Sequence, residues 1–445
     1  MNKIIIILLA LLLWLSPEKL SAIIVWQSMG PSGGGSMETA RFHPTDPDTI
    51  FVGGDVSGIH KTTDGGATWT MANRGLATTD GTANAYGILS IAISESNPEI
   101  MFIGTWRGVY KSADGGENWS LRRPSSPSAP ELPIGAVAID PDDPQRIFAG
   151  EGDYLGTDPG TGRFNRSTDG GDTWTVISGT GIDSQAKFSS ILIDPTSPAA
   201  NRAIFAATDK GVYKSADNGS TWSSATAGLP HGDSWTMTLQ RTGSNVTLYL
   251  SLKIHGTAGA PATYSGGIFK SVDRGNSWQD VTGNLPRYDD WGGGEFYWYD
   301  WYHLTTHPGN PDIAYVGTYN DNGHDYNGIW KTTDGGSSWA WTTQTNPSNV
   351  QSGWIDFWDE GAGFLALSPS QPDVMVYGAS ELYKTTDAGS SWQQFYCDSA
   401  GGDYWRGRGL EVTYVYTLAF DPQTAGRWYV GYEDILFIKT NDDGH

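Results

Sequence analysis

The chain reads as an all-β propeller of about seven four-stranded blades, with an eighth repeat begun near its end, and three observations predict this. The first is composition: 445 residues include 58 glycines and 23 prolines, with 17% charged and 12% aromatic. That mixture suits short strands and turns, and excludes a coiled coil, a collagen-like repeat or a disordered chain. The second is a repeated box: KTTDGGATW (61–69) returns as KSADGGENW (111–119), RSTDGGDTW (166–174), KSADNGSTW (214–222), KSVDRGNSW (270–278), KTTDGGSSW (331–339) and KTTDAGSSW (384–392), and an eighth copy begins at Lys439. The third is spacing: Asp64, Asp114, Asp169, Asp217, Asp273, Asp334 and Asp387 follow one another at 48 to 61 residues, the length of one blade.

Each repeat follows one script. An apolar strand A ends in a Pro-rich turn (AIDPDDP, 138–144), strand B follows (RIFAG), then a variable stretch, strand C (GVYKS), the box, and strand D opened by Trp. Within a box, Ser or Thr and Asp can bond neighbouring amides, Gly supplies a left-handed turn and Trp packs between blades, so the seven box aspartates are expected to be structural. Metal or catalytic use is the other reading. Seven repeats give a closed ring whose last blade is completed by residues 24–28; the alternative is a single eight-bladed ring. The expected organisation is a signal peptide at 1–22, the seven-bladed propeller at 23–408 and the first blade of a second propeller at 409–445.

The signal peptide rests on one positive charge within Met1 to Lys3, the apolar run Ile4 to Leu15, and a small residue at the end of Leu20-Ser21-Ala22. The mature chain is expected to be secreted, monomeric and free of the membrane. A net charge of −22 argues against nucleic acid and anionic lipid as partners. Cys397 is the single cysteine, so no internal disulfide or cysteine cluster can form. His255, His303 and His324 are too scattered for a zinc site, and no metal or cofactor is expected.

Repeat topology selects a working face. The A–B turns and the boxes share one face and stay short, whereas the insertions fall in B–C and D–A connections on the other. Those loops interleave aromatic residues with acids: YDDWGGGEFYWYDWYH (288–303), GWIDFWDEG (353–361) and GGDYWRGRGLE (401–411). Rings beside carboxylates suggest a groove for a polysaccharide or oligosaccharide, with Trp106, Glu151, Asp153, Trp291, Tyr297, Trp298, Trp301, Trp354, Trp358, Trp405, Arg406 and Glu411 as candidate contacts. Packing of the insertions against each other is the competing account. Asp321 and Asp325 fall in the same class of loop.

VWQSMGPSGGGSMETARFHPTDPDTIFVGGDVSGIHK (25–61) resembles the opening of glycoside hydrolase family 74, the xyloglucanases, and GRGLEVTYVYTLAFDPQTAGRWYVGYEDILFIK (407–439) resembles the segment that opens that family's second propeller. The resemblance implies two propellers facing across a cleft and inverting cleavage of β-1,4-glucan backbones, with Asp55 as general base and Asp434 as general acid. Inversion requires carboxyls roughly 6.5–9.5 Å apart, to admit water. The sequence departs from the family at Ser57-Gly58 and in the loop after Asp434, where the Gly-Gly pairs are replaced; Glu433 and Glu411 are alternative acids. A non-catalytic glycan- or protein-binding propeller is the competing function. A sialidase is disfavoured, because the arginine cluster and Arg-Ile-Pro stretch it needs are absent.

Overall fold

The A strands line a central channel, and the short apolar B strands are buried along their length because a neighbouring blade covers each side. The computed structural model describes residues 36–76, 87–124, 133–153, 160–177, 181–257, 260–290, 296–318, 328–343, 349–353, 362–378, 381–402, 404–410, 415–425, 427–432 and 437–440. Blade 1 comprises Met37–Phe42, Ile50–Gly54, Ile59–Thr62 and Thr70–Met71. Blade 2 comprises Ile88–Ile93, Met101–Thr105, Gly108–Ser112 and Ser120–Pro124. Blade 3 comprises Ile134–Asp140, Asp143–Glu151, Phe164–Ser167 and Thr175–Ile177. Blades 4 to 7 start at Phe188–Ile193, Ser234–Thr242, His303–Thr306 and Phe364–Leu367. Each blade runs antiparallel from strand A to strand D, and Val350–Gln351 adds a parallel fifth strand to blade 7.

Burial follows the seams. Apolar clusters of described residues fill the interfaces 1–2, 2–3, 3–4, 4–5, 5–6 and 6–7, and a further cluster joins blade 7 to blade 1 through Met37, Phe42, Ile50 and Val52 against Phe364, Val376, Leu382 and Phe395. That last seam closes the ring at seven blades, with the A strand of blade 7 against that of blade 1. Blade 7 takes its four antiparallel strands from residues 364–394. The expected N-terminal strand at 24–28 lies outside the described residues. Beyond the ring, Val415–Phe420, Trp428–Tyr432 and Phe437–Thr440 form a three-stranded sheet.

The boxes make the bonds their chemistry requires. In blade 1, Thr62 Oγ1 donates to Asp64 Oδ1 at 2.7 Å and accepts from the Gly66 amide at 2.9 Å. Asp64 also accepts from the Thr68 amide at 2.9 Å and the Thr68 hydroxyl at 2.6 Å. These donors hold the box carboxyls below the ordinary range, Asp169 and Asp334 down to about 2. The basic residue opening each box reaches the next blade: Lys61 Nζ donates to the Gly115 carbonyl at 3.0 Å, Lys331 to the Ala388 carbonyl at 3.0 Å, and Lys384 to the Gly65 carbonyl at 2.8 Å across the closing seam.

Candidate active site

Asp55 follows the B strand of blade 1, on the face of the B–C and D–A connections. Its turn is fixed by the chain itself: the Gly54 amide donates to the Gly58 carbonyl at 2.9 Å, and the Asp55 amide to the Ser36 carbonyl at 3.1 Å. Asn73 clamps the far side, donating to the Ser57 carbonyl at 2.7 Å and accepting from the Ile59 amide at 2.8 Å. Gly58 has φ of +82°, and a Cβ there would stand 2.2 Å from the Asn73 side chain. The departure to Ser57-Gly58 therefore keeps one glycine where the turn needs it.

Asp55 lines a cavity of about 210 Å³ with Glu38, Gly87, Ile88, Leu89, Trp106 and Asp153. Blade 1 supplies Glu38 and Asp55, blade 2 supplies Trp106 from its B–C turn, and blade 3 supplies Asp153 from its B–C connection. Three blades thus converge on one hollow. Gly87 is what lets it form: a Cβ would stand 3.0 Å from both the Asp55 carbonyl and the Trp106 ring. The Trp106 amide donates to the Gly87 carbonyl at 3.3 Å. The indole Nε1 of Trp106 is buried with no hydrogen-bond partner among the described residues. Below, an axial channel of about 500 Å³ is lined by the A strands and the turns after them, including Glu38, Arg41, Glu95, Arg241 and His303.

Glu38 was not among the residues expected from sequence. Its Oε1 accepts from the Ser36 hydroxyl at 2.9 Å. Burial pushes its carboxyl above the ordinary range, and the charges of Asp55 and Asp153 push the same way against the pull of the Ser36 hydroxyl. A carboxyl in that setting can hold a proton beside an ionised neighbour.

Two candidate contacts turn inward. Glu151 is 0% exposed, accepting from Thr161 Oγ1 at 2.8 Å and Asn165 Nδ2 at 3.2 Å, with Arg163 at 3.7 Å. Glu151 ends its strand facing into the blade and braces the loop, while Asp153 lies beyond the strand, after Gly152 with φ of +121°, and lines the cavity. Trp301 is likewise 0% exposed, between Tyr299 at 6.3 Å and Trp330 at 6.2 Å, and belongs to the seam of blades 5 and 6. Packing of the insertion wins there.

Trp405 is half-buried against the closing seam, and Arg406 is exposed beside it on the hairpin Cys397–Gly401 with Tyr404–Gly407. Tyr297 and Trp298 lie in Phe296–Trp298, paired with Tyr288–Asp290. Trp291, Asp321, Asp325, His324, Trp354, Trp358, Glu411, Glu433 and Asp434 fall outside the described residues. Among the described residues no group of three or more His, Cys, Asp or Glu is arranged to hold a metal ion, and no helix is long and apolar enough to cross a membrane.

No protein-family model matches the chain. It is 25% identical over 296 residues to a xyloglucanase of a Paenibacillus species, covering 59% of this chain and 26% of that protein. A xyloglucanase of Hypocrea jecorina is 25% identical over 295 residues, covering 58% and 32%. The chain thus spans about a quarter to a third of the length of these relatives. Among solved structures, the Niastella koreensis GH74 enzyme superposes with TM-score 0.69 at 18% identity, over 92% of this chain and 59% of that one. An ancestral GH74 enzyme gives 0.66 at 20% identity, over 94% and 55%. The chain is a propeller of the glycoside hydrolase family 74 kind in fold, and xyloglucanase-like in sequence.

Proposed function

We propose that this protein is a secreted glycoside hydrolase that cleaves β-1,4-glucan backbones of the xyloglucan type. The observation carrying the proposal is the Asp55 cavity: a carboxylate held by a rigid turn, beside a tryptophan ring, on the face where the variable loops gather, in a chain similar to xyloglucanases. Asp55 is the general base. It takes a proton from a water that attacks the anomeric carbon, while a protonated carboxyl on the opposite side of the sugar gives its proton to the departing oxygen, so the configuration inverts. Asp434 is the proposed acid. Trp106 and Asp153 meet the sugar bound at Asp55, through ring stacking and hydroxyl hydrogen bonds respectively. Reducing-sugar release from xyloglucan, mixed-linkage glucan and carboxymethyl cellulose by the wild type and by the Asp55→Ala and Asp434→Ala variants tests the assignment. Loss on the order of 10²-fold or more in each variant supports it; unchanged turnover refutes the carboxylate pair; binding without turnover favours the non-catalytic propeller.

A further inference from the structure

The A strands of blades 1 to 5 carry a common irregularity near their working-face ends. In blade 1 Met37 pairs with Gly54 and Thr39 with Gly53, so Glu38 is the extra residue of a β-bulge. The same register shift leaves Leu89, Gly135, Ser189 and Trp235 unpaired in blades 2 to 5. Bulges of this kind re-aim a side chain and gather beside functional sites. Glu38 is the acidic residue of the five, and its bulge places it on the wall shared by the Asp55 cavity and the axial channel. Ser36 ties the two acids together: its hydroxyl donates to Glu38 Oε1 at 2.9 Å, and its carbonyl accepts from the Asp55 amide at 3.1 Å.

We propose that Glu38 is a positioning residue for Asp55: a carboxyl aimed by the bulge into the same cavity and tied to Asp55 through Ser36, whose charge tunes Asp55 as a base. The proposal rests on the Asp55 reading for its catalytic meaning and on geometry for its chemistry. Three carboxyls meet here, Glu38, Asp55 and Asp153, against the apolar wall of Ile88, Leu89 and Trp106. Carboxyls lining one hollow couple in their titration. On the channel side the charged and titratable groups are Arg41, Glu95, Arg241 and His303. Burial pushes the Glu38 carboxyl above its ordinary range, and the Asp55 and Asp153 charges push the same way.

The test is a double-mutant cycle read by thermal unfolding between pH 4 and 8, using the wild type, Glu38→Gln, Asp55→Asn and the double variant, each checked for fold by circular dichroism. A carboxyl raised in the folded state is neutral at low pH and weakens the fold as pH climbs through its folded value. Wild type and Glu38→Gln should therefore have similar Tm at pH 4, with the Gln variant gaining as pH rises. In the Asp55→Asn background the gain should start at the same pH but level off earlier and be smaller, because the neighbouring charge no longer raises Glu38. A gap between Glu and Gln that is flat with pH, or one that levels off at the same pH and the same size in both backgrounds, overturns the proposal. If Gln perturbs folding, Glu38→Asp, which keeps the titration, decides the same question. On xyloglucan, Glu38→Gln should lose one inflection of the kcat/KM profile. Absence of turnover in every protein would defeat the hydrolase reading while the Tm cycle still judges the pair.

Discussion

Trp69 stands where the ring is closed, and removing it should show what a box tryptophan contributes. It is 4% exposed, with its ring centroid 5.7 Å from that of Phe395 in the cluster joining blade 7 to blade 1. Its Nε1 donates to the Phe395 carbonyl at 3.4 Å, a long bond of small worth, while its amide donates to the Arg408 carbonyl at 2.7 Å and would survive the substitution. The loss in Trp69→Ala is therefore mostly burial and cavity, about 3–5 kcal/mol. Trp174, the equivalent residue of blade 3, is half-buried and touches its seam from the edge. Trp174→Ala should cost roughly half as much, since part of that ring already meets solvent. Urea unfolding followed by far-UV circular dichroism measures both. Equal losses, or a larger loss at Trp174, would refute the reasoning that box tryptophans act by filling seams.

Acid should unfold the protein through its boxes. Their aspartates are depressed in the fold, so the stabilisation they give is present above the unfolded value near 3.9 and is lost as pH falls toward about 2; Asp334→Asn should flatten that limb of the acid transition. Burial lowers His60 to about 4, so its contribution is complete above about pH 6.5 and declines as pH falls, by about 3 kcal/mol between those limits. His60 takes the place filled by Tyr110, Tyr213 and Tyr383 in other blades, and His60→Tyr should reduce the slope of stability with pH in that window. Ala388 holds φ of +58° at a position occupied by glycine in four other boxes, so Ala388→Gly should raise the urea midpoint, by up to about 1 kcal/mol of stability.

The fold was legible because the box is a local device repeated at blade length: Asp64 and its equivalents bond within five residues, and the tryptophan that follows marks the seam. Loop length alone separates the B–C connections from the boxes, and Asp55, Trp106 and Asp153, from B–C connections of three blades, line one cavity. Glu38 was hidden. Strand alternation assigns each residue a face, and a bulge breaks that rule without a sequence signature, so an acid beside a Gly-rich run carried no sign of its direction. Glu151 and Trp301 lie inside, which was hidden for the converse reason: loop composition cannot distinguish a ring or acid that faces the groove from one that braces the insertion, and Glu151 is held by Thr161 and Asn165 while Trp301 packs in the seam of blades 5 and 6.

The most direct measurement is kcat/KM on xyloglucan for folded wild type and Asp55→Asn, the latter keeping the size of the side chain and the backbone bond to Ser36. The structure leads us to expect a fall on the order of 10²-fold or more, with the polysaccharide still bound. Undiminished turnover in the asparagine variant would contradict the account.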